Sequence, residues 1–286
     1  MVADRIKVRT RGSETKERHS MVSGGLAAER GTPHPIESWT EDLQFLQVLT
    51  DSVGDIARAT GVDIVGFGNV SDALPAEFDH LPVGVSLGVI DPVMRLLSGG
   101  DAAAERRLLM ERALYDHRDL EGQRLLEVTL KRIGGFLRDN GYRYFCFPPD
   151  CDPMESPFTS LMFRRFSHKA AATCAGLGWV GRHGLLNHPQ YGPRVAWATL
   201  VTNAPLILAE PVTESACGTC RQCVEACPAG AISGRSWRRD DGMVSLVDAD
   251  SCRHALVENE RLVGRWACGR CAVACALAKL TGALAE

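Results

Sequence analysis

Cys217-Gly-Thr-Cys220-Arg-Gln-Cys223-Val-Glu-Ala-Cys227-Pro228 decides how this 286-residue chain is read. The spacing is C-x2-C-x2-C-x3-C-P. Thiolates are the ligands that iron–sulfur clusters require, and intervals this short let one loop wrap three corners of a cubane. The fourth cysteine lies just beyond, on the turn into a helix, where it can reach a second cluster. Pro228 removes a backbone donor and pins that turn. Ala229-Gly230-Ala231-Ile232 then carries the chain onward.

A second set follows: Cys252, then Cys268-Gly-Arg-Cys271-Ala-Val-Ala-Cys275. Three of these repeat the tail of the first run, and Cys252 supplies the missing corner from a distance. In two-cluster ferredoxins the last cysteine of a run ligates the other cluster. That rule gives Cys217, Cys220, Cys223 and Cys275 to one [4Fe–4S] cluster and Cys227, Cys252, Cys268 and Cys271 to the other. The exchange holds the clusters close enough for electron hopping. The segment is therefore expected to be a bacterial-ferredoxin-like module. Zinc knuckles also use C-x2-C, but zinc has no need of a third cysteine at x2 followed by x3-C-P. Ala276 stands where a second proline is expected, which loosens that turn without removing a ligand.

Eight of the eleven cysteines crowd into residues 217–275. A disulfide scaffold would be a short secreted chain, so metal binding in a reducing, cytoplasmic compartment is the expectation. Cys146, Cys151 and Cys174 are left over and are read as small buried hydrophobes. With 45% hydrophobic and 23% charged residues, the chain can build a real core without its clusters. A net charge of −3 gives no global basic surface, so nucleic acid is not expected as a partner. No apolar run approaches the ~20 residues of a membrane span. Residues 1–35 begin polar, with scattered Arg and Lys, and are expected to be a disordered leader.

Residues 36–208 mix helices and strands, an α+β or α/β pattern. Ser38 to Thr60 reads as an amphipathic helix stopped by Gly61, followed by a strand over Val62 to Phe67. Val83, Val85, Leu87 and Val89 alternate with small residues, which is strand periodicity. A short helix is expected over Pro92 to Leu97, and a long helical tract over Ala102 to Asn140, broken near Asp119. Tyr142 to Phe147 reads as a strand and Ser167 to Ala175 as a short helix. Leu185 to Asn187 and Arg194 to Thr202 read as strands joined through His188 to Pro193. Pro205 to Val212 is the joint to the cysteine module, which takes residues 209–286.

One further stretch stands out: Ser167-His-Lys-Ala-Ala-Ala-Thr-Cys-Ala-Gly-Leu-Gly-Trp-Val-Gly181-Arg182. Three glycines around Trp179 allow very close approach of something flat or large to the backbone. Together with the cysteine module, this segment resembles the epoxyqueuosine reductase family. The likeness runs over Ala175 to Gly181, a strand ending in Thr202-Asn203, the Cys217–Ile232 run, the Cys252 helix and Cys268-x-x-Cys271, roughly residues 165–276. Tyr115 to Leu125 and Tyr142 to Pro149 are weaker echoes.

The resemblance implies a nitroreductase-like, corrinoid-binding α/β domain fused to the double-cluster module, an architecture shared with reductive dehalogenases. The clusters would feed a cobalamin whose reduced cobalt attacks the substrate. A small carrier such as ferredoxin or flavodoxin would supply the electrons. The family's proposed acid, an Asp, falls on Met162 here, and its Glu-Arg pair falls on His168-Lys169. Helical repeats that often follow the clusters have no counterpart before Glu286. The expectation is therefore a relative with another, unknown small-molecule substrate, with epoxyqueuosine in tRNA or a non-catalytic electron carrier and corrinoid reactivator as alternatives. His168 and Lys169 could donate a proton or hold an anion. Gly178 and Trp179 could approach or stack on a macrocycle, and Arg182 and Arg194 could hold its phosphate or propionamide groups. Tyr115 and His117 could face the same cavity.

Overall fold

The computed structural model describes residues 43–90, 120–147, 149, 166–241, 245–263 and 268–275. Expectations for the leader, the Pro92–Leu97 helix, the start of the long helical tract, Tyr115, His117, Cys151 and Met162 lie outside them.

Helix α1, Leu43–Thr60, buries Leu49, Val53 and Ala57 on one face, spaced at i+4. Gly61, at φ +99°, ends it. The N–H groups of Gly61 and Val62 return to the carbonyls of Arg58 and Ala57, a left-handed cap that a side chain would strain. Strand β1 follows over Ile64–Asn69, two residues later than the sequence suggests. Strand β2, Val83–Ile90, is buried along its whole length. Helix α2, Leu120–Asp139, leads through Gly141 to β3, Tyr144–Phe147.

Helix α3 is His168–Cys174, with Ser167 accepting the Ala170 N–H as its cap. The two-residue strands β4, Trp179–Val180, and β5, Leu186–Asn187, precede β6, Val195–Thr202. Short helices α4, Gln222–Glu225, and α6, Arg270–Ala274, flank the longer α5, Ala249–Val263.

The main sheet runs β1-β2-β6-β3, and every pairing is antiparallel. The described part is therefore α+β. Leu185–Asn187 does not form a hairpin with β6, as the sequence suggested. It pairs with β4 instead, Trp179 opposite Asn187 and Val180 opposite Leu186. Both edges of β6 are already taken by β2 and β3, and His188 and Gly192 close a tight loop on each other.

One face of the sheet presents Val83, Val85, Leu87 and Val89 to Leu49, Val53, Leu126, Leu130 and Ile133 of α1 and α2. Each such side chain contributes about 1.5–3 kcal/mol by burial. The other face is lined with glycine. A Cβ at Gly68 would lie 2.4 Å from the backbone carbon of Cys174, and one at Gly66 would lie 2.7 Å from Leu177. The missing side chains let α3 and the turn after it lie directly on the strands, which is how the glycine segment is held in place.

Candidate cluster site

The eight module cysteines fall into two groups in space. Burial first, then the thiolates of Cys275, Cys217 and Cys220, push the Cys223 thiol up. Cys252 is raised by burial and then by Cys227 and Cys268. Cys271 is pushed up to about 12, by burial first and then chiefly by Cys268, with Cys223 and Cys227 adding. Four thiolates gathered at one place repel one another, and a polynuclear cation resolves that repulsion. Cys275 thus lies beside the first run and Cys227 beside Cys252, while Cys223 also lies near Cys271 of the later set. The donor chemistry thus fits [4Fe–4S] clusters.

A single metal ion fits less well. Four sulfurs around zinc, at ~2.3 Å each, would sit only ~4 Å apart. Among the described residues no three His, Cys, Asp or Glu side chains close on a single-ion site.

Local structure sets each sulfur. Asp248 accepts the N–H groups of Asp250 and Ser251 at 3.0 and 3.1 Å, capping α5 at the turn that carries Cys252. Those bonds, the Ser251 N–H first, hold its carboxyl below the usual range. Ala231 N–H donates to Cys227 Sγ at 3.3 Å. Helices α4 and α6, which carry Cys223 and Cys271, pack together.

Arg182 ties the glycine segment to this loop. Its guanidinium donates to the carbonyls of Cys220 at 3.0 Å and Gly218 at 2.6 Å, and to that of Gly234. Sequence reasoning offered it as a corrinoid contact, but the structure gives it three partners in the cysteine module. Gly178 departs from expectation in the same way. Its backbone, at φ +154°, makes its close approach to the protein itself, since a Cβ would lie 2.0 Å from the Asn187 carbonyl oxygen. The indole Nε1 of Trp179 is buried without a hydrogen-bond partner among the described residues. Gly178 and Arg182 thus both make close contacts within the chain. Arg194 is buried on the approach to β6.

His168 is 5% exposed; its Nδ1 lies 3.0 Å from Thr199 Oγ1 and its ring packs edge-on to Phe166. Lys169 Nζ donates to the Gly184 carbonyl at 2.8 Å. Both side chains pin α3 and the following turn, and the contacts that place them are structural ones. Cys146 and Cys174 are free thiols; Cys174 is buried, as expected, and Cys146 is half-buried. Burial pushes Cys146 up to about 11, with Lys131 opposing.

Three residues of this region escaped the sequence reading. Asn187 is 1% exposed, with its side chain between Cys217 and Cys275. His183 is buried beside it and held at about 4, by burial first and then by the Lys169 charge, against an opposing hydrogen bond to the Asn187 side chain. Arg239 reaches from the module to α3, donating to Thr173 Oγ1 at 2.7 Å and to Cys174 Sγ at 3.3 Å. A lone amide closing the apolar stretch Leu185-Leu186 was the available signal for Asn187.

Comparison with known proteins bears on this geometry. Residues 210–233 match the family of 4Fe-4S binding domains. Over 109 residues, 38% of the chain, it is 36% identical to an epoxyqueuosine reductase of Synechococcus sp. (strain CC9605), covering 30% of that protein. The fold is similar to a crystal structure of epoxyqueuosine reductase with a tRNA-Tyr epoxyqueuosine-modified stem loop. There the TM-score is 0.55 at 20% identity, over 82% of this chain and 66% of that one. It is also similar to a reductive dehalogenase whose structure suggests a mechanism for B12-dependent dehalogenation, with TM-score 0.53 at 19% identity, over 82% of this chain and 34% of that one.

The chain thus spans under a third of the length of that curated relative. Part of it is similar in sequence to epoxyqueuosine reductases, and its fold is similar to theirs. Iron–sulfur clusters are the cofactor to which the matched family points. The expectation against nucleic acid rested on net charge, and one protein of similar fold holds a tRNA stem loop. Among the described residues no helix is long and apolar enough to cross a membrane.

Proposed function

We propose that the chain is a cytoplasmic iron–sulfur reductase passing electrons from a small carrier such as ferredoxin or flavodoxin toward a corrinoid site with a small-molecule substrate. The observation that supports this reading is the gathering of the module cysteines around Cys223 on one side and Cys252 on the other. Cys217, Cys220, Cys223 and Cys275 would hold one cluster; Cys227, Cys252, Cys268 and Cys271 would hold the other. When bound, each cluster supplies one-electron transfer. The chain's own part is to fix the thiolates. Arg182 closes the Cys217–Cys220 loop, Asp248 aims Cys252, and Arg239 fastens the module to α3.

In this reading residues 36–208 form the nitroreductase-like, corrinoid-binding unit and residues 209–286 the cluster module. The corrinoid is supported by likeness of fold to the dehalogenase, with Gly178, Trp179, Arg182 and Arg194 as its candidate contacts. His168 and Lys169 anchor α3 and are the candidate proton donors of this reading. A second reading, reduction of epoxyqueuosine in tRNA, is favoured by the named activity of the relatives. Against it stands Met162 at the place of the family's acid.

Anaerobic purification with iron and sulfide assay tests the clusters, with about eight iron atoms per chain expected for two cubanes. Titration with hydroxocobalamin tests the corrinoid, a changed visible spectrum of bound cobalamin being the expected result. No binding at any ratio would reduce the protein to an electron shuttle. Loss of queuosine from tRNA of a deletion strain would favour the second reading.

A further inference from the structure

Asn187 is among the most deeply buried polar side chains described, and it faces sulfur. Its Nδ2 lies 3.9 Å from Cys217 Sγ and its Oδ1 lies 3.8 Å from Cys275 Sγ, two corners of one tetrad that are distant in sequence. A buried amide is costly unless its donors find acceptors. The surroundings are shaped to keep it there. Its backbone is fixed by pairing with Trp179. Gly178 and Gly181 leave out the side chains that would press on it, at 2.0 Å from its carbonyl oxygen and 2.6 Å from its Nδ2. His183, 5% exposed, fills the space behind.

We propose that Asn187 is a positioning residue for the cluster of Cys217, Cys220, Cys223 and Cys275, donating its amide N–H to the Cys217 sulfur and raising that cluster's reduction potential. This rests on the cluster reading above. As iron-bound thiolates both sulfurs only accept, so the N–H edge of the amide carries the interaction. A donor at sulfur draws negative charge off the thiolate and favours the reduced cluster, which carries one more electron. The second tetrad has a backbone donor instead, from Ala231 to Cys227, so the side chain acts on one cluster of the two.

Redox titration of the reconstituted full-length chain, followed by electron paramagnetic resonance, tests this with Asn187→Leu and Asn187→Asp. In Asn187→Leu one midpoint falls and the other stays. At the original midpoint the ratio of reduced to oxidised cluster drops about tenfold, which is 59 mV for one electron. Asn187→Asp keeps the shape, replaces the donor with an anionic oxygen, and moves the same midpoint further down. It decides the matter if the leucine variant fails to fold or loads less iron. Full iron with both midpoints unmoved, or both moved equally, overturns the role of Asn187 and leaves the clusters standing. A parent protein that takes up no iron overturns the cluster reading and this inference with it.

Discussion

Arg182→Met keeps the aliphatic stem and removes the fork that grips the carbonyls of Gly218, Cys220 and Gly234. Hydrogen bonds from a charged donor are worth ~1.5–3 kcal/mol when sheltered. The bonds to Gly218 and Cys220 face solvent and are reduced to ~0.5–1 kcal/mol each. The third is half-buried and is taken at ~1.5 kcal/mol. Together they hold the loop by about 3 kcal/mol, and since 1.4 kcal/mol is tenfold, the variant loop opens roughly a hundredfold more often. The assay is anaerobic iron release from the reconstituted protein to a ferrous chelator. About half the iron, that of the Cys217 tetrad, should leave much faster, approaching a hundredfold where opening limits the rate. Arg182→Lys keeps the charge but cannot fork to three carbonyls, so it should fall between. Release within twofold of the parent, at an unchanged melting temperature, would refute the reasoning. Weaker cobalamin binding with normal iron release would instead return Arg182 to the corrinoid.

Cys223→Ala should lose about half the iron and weaken the C-terminal fold, since metal binding couples to folding; an iron assay showing the full complement would contradict the tetrads. Gly178→Ala places a Cβ at 2.0 Å from the Asn187 oxygen, at φ +154°. Backbone strain alone is ~1–3 kcal/mol, so a clear fall in melting temperature by circular dichroism is expected, and an unchanged melt would show that β4 and β5 can part freely. His183 sits at about 4 in the fold against 6.5 when unfolded, chiefly through burial. The unfolded chain therefore takes up the proton first, so this stability is complete above pH 6.5 and is lost as pH falls toward 4, by about 3 kcal/mol. Urea midpoints at pH 7.5 and 5 should differ less in His183→Gln than in the parent; equal differences would count against a buried neutral ring.

Much of this arrangement could be read from residues alone. The cysteine intervals pointed to the iron–sulfur family, because ligand spacing is a local constraint that survives any fold. Gly61 and Gly141 gave helix ends for the same reason. The pairing of β5 could not be read, because it depends on both edges of β6 being occupied by strands distant in sequence. The glycine segment misled in an instructive way. Its three glycines do signal close approach, but a sequence does not say whether the approaching body is a cofactor or the chain itself. Here Glu210 and Asn187 are the neighbours. Arg182 likewise looked like a ligand-binding cation, because its carbonyl partners lie 36 residues or more away.

The place of Cys275 beside Cys217, Cys220 and Cys223 has a temporal consequence. During synthesis the early run emerges with three corners and must wait for a residue translated well after it. Assembly machinery delivering iron to the nascent polypeptide would therefore meet an open, three-thiol cup whose fourth corner is still to come. Both cubanes then become insertable almost together, once the last helix leaves the ribosome. Half-loaded molecules should accordingly be scarce in cells and common only when a corner is deleted.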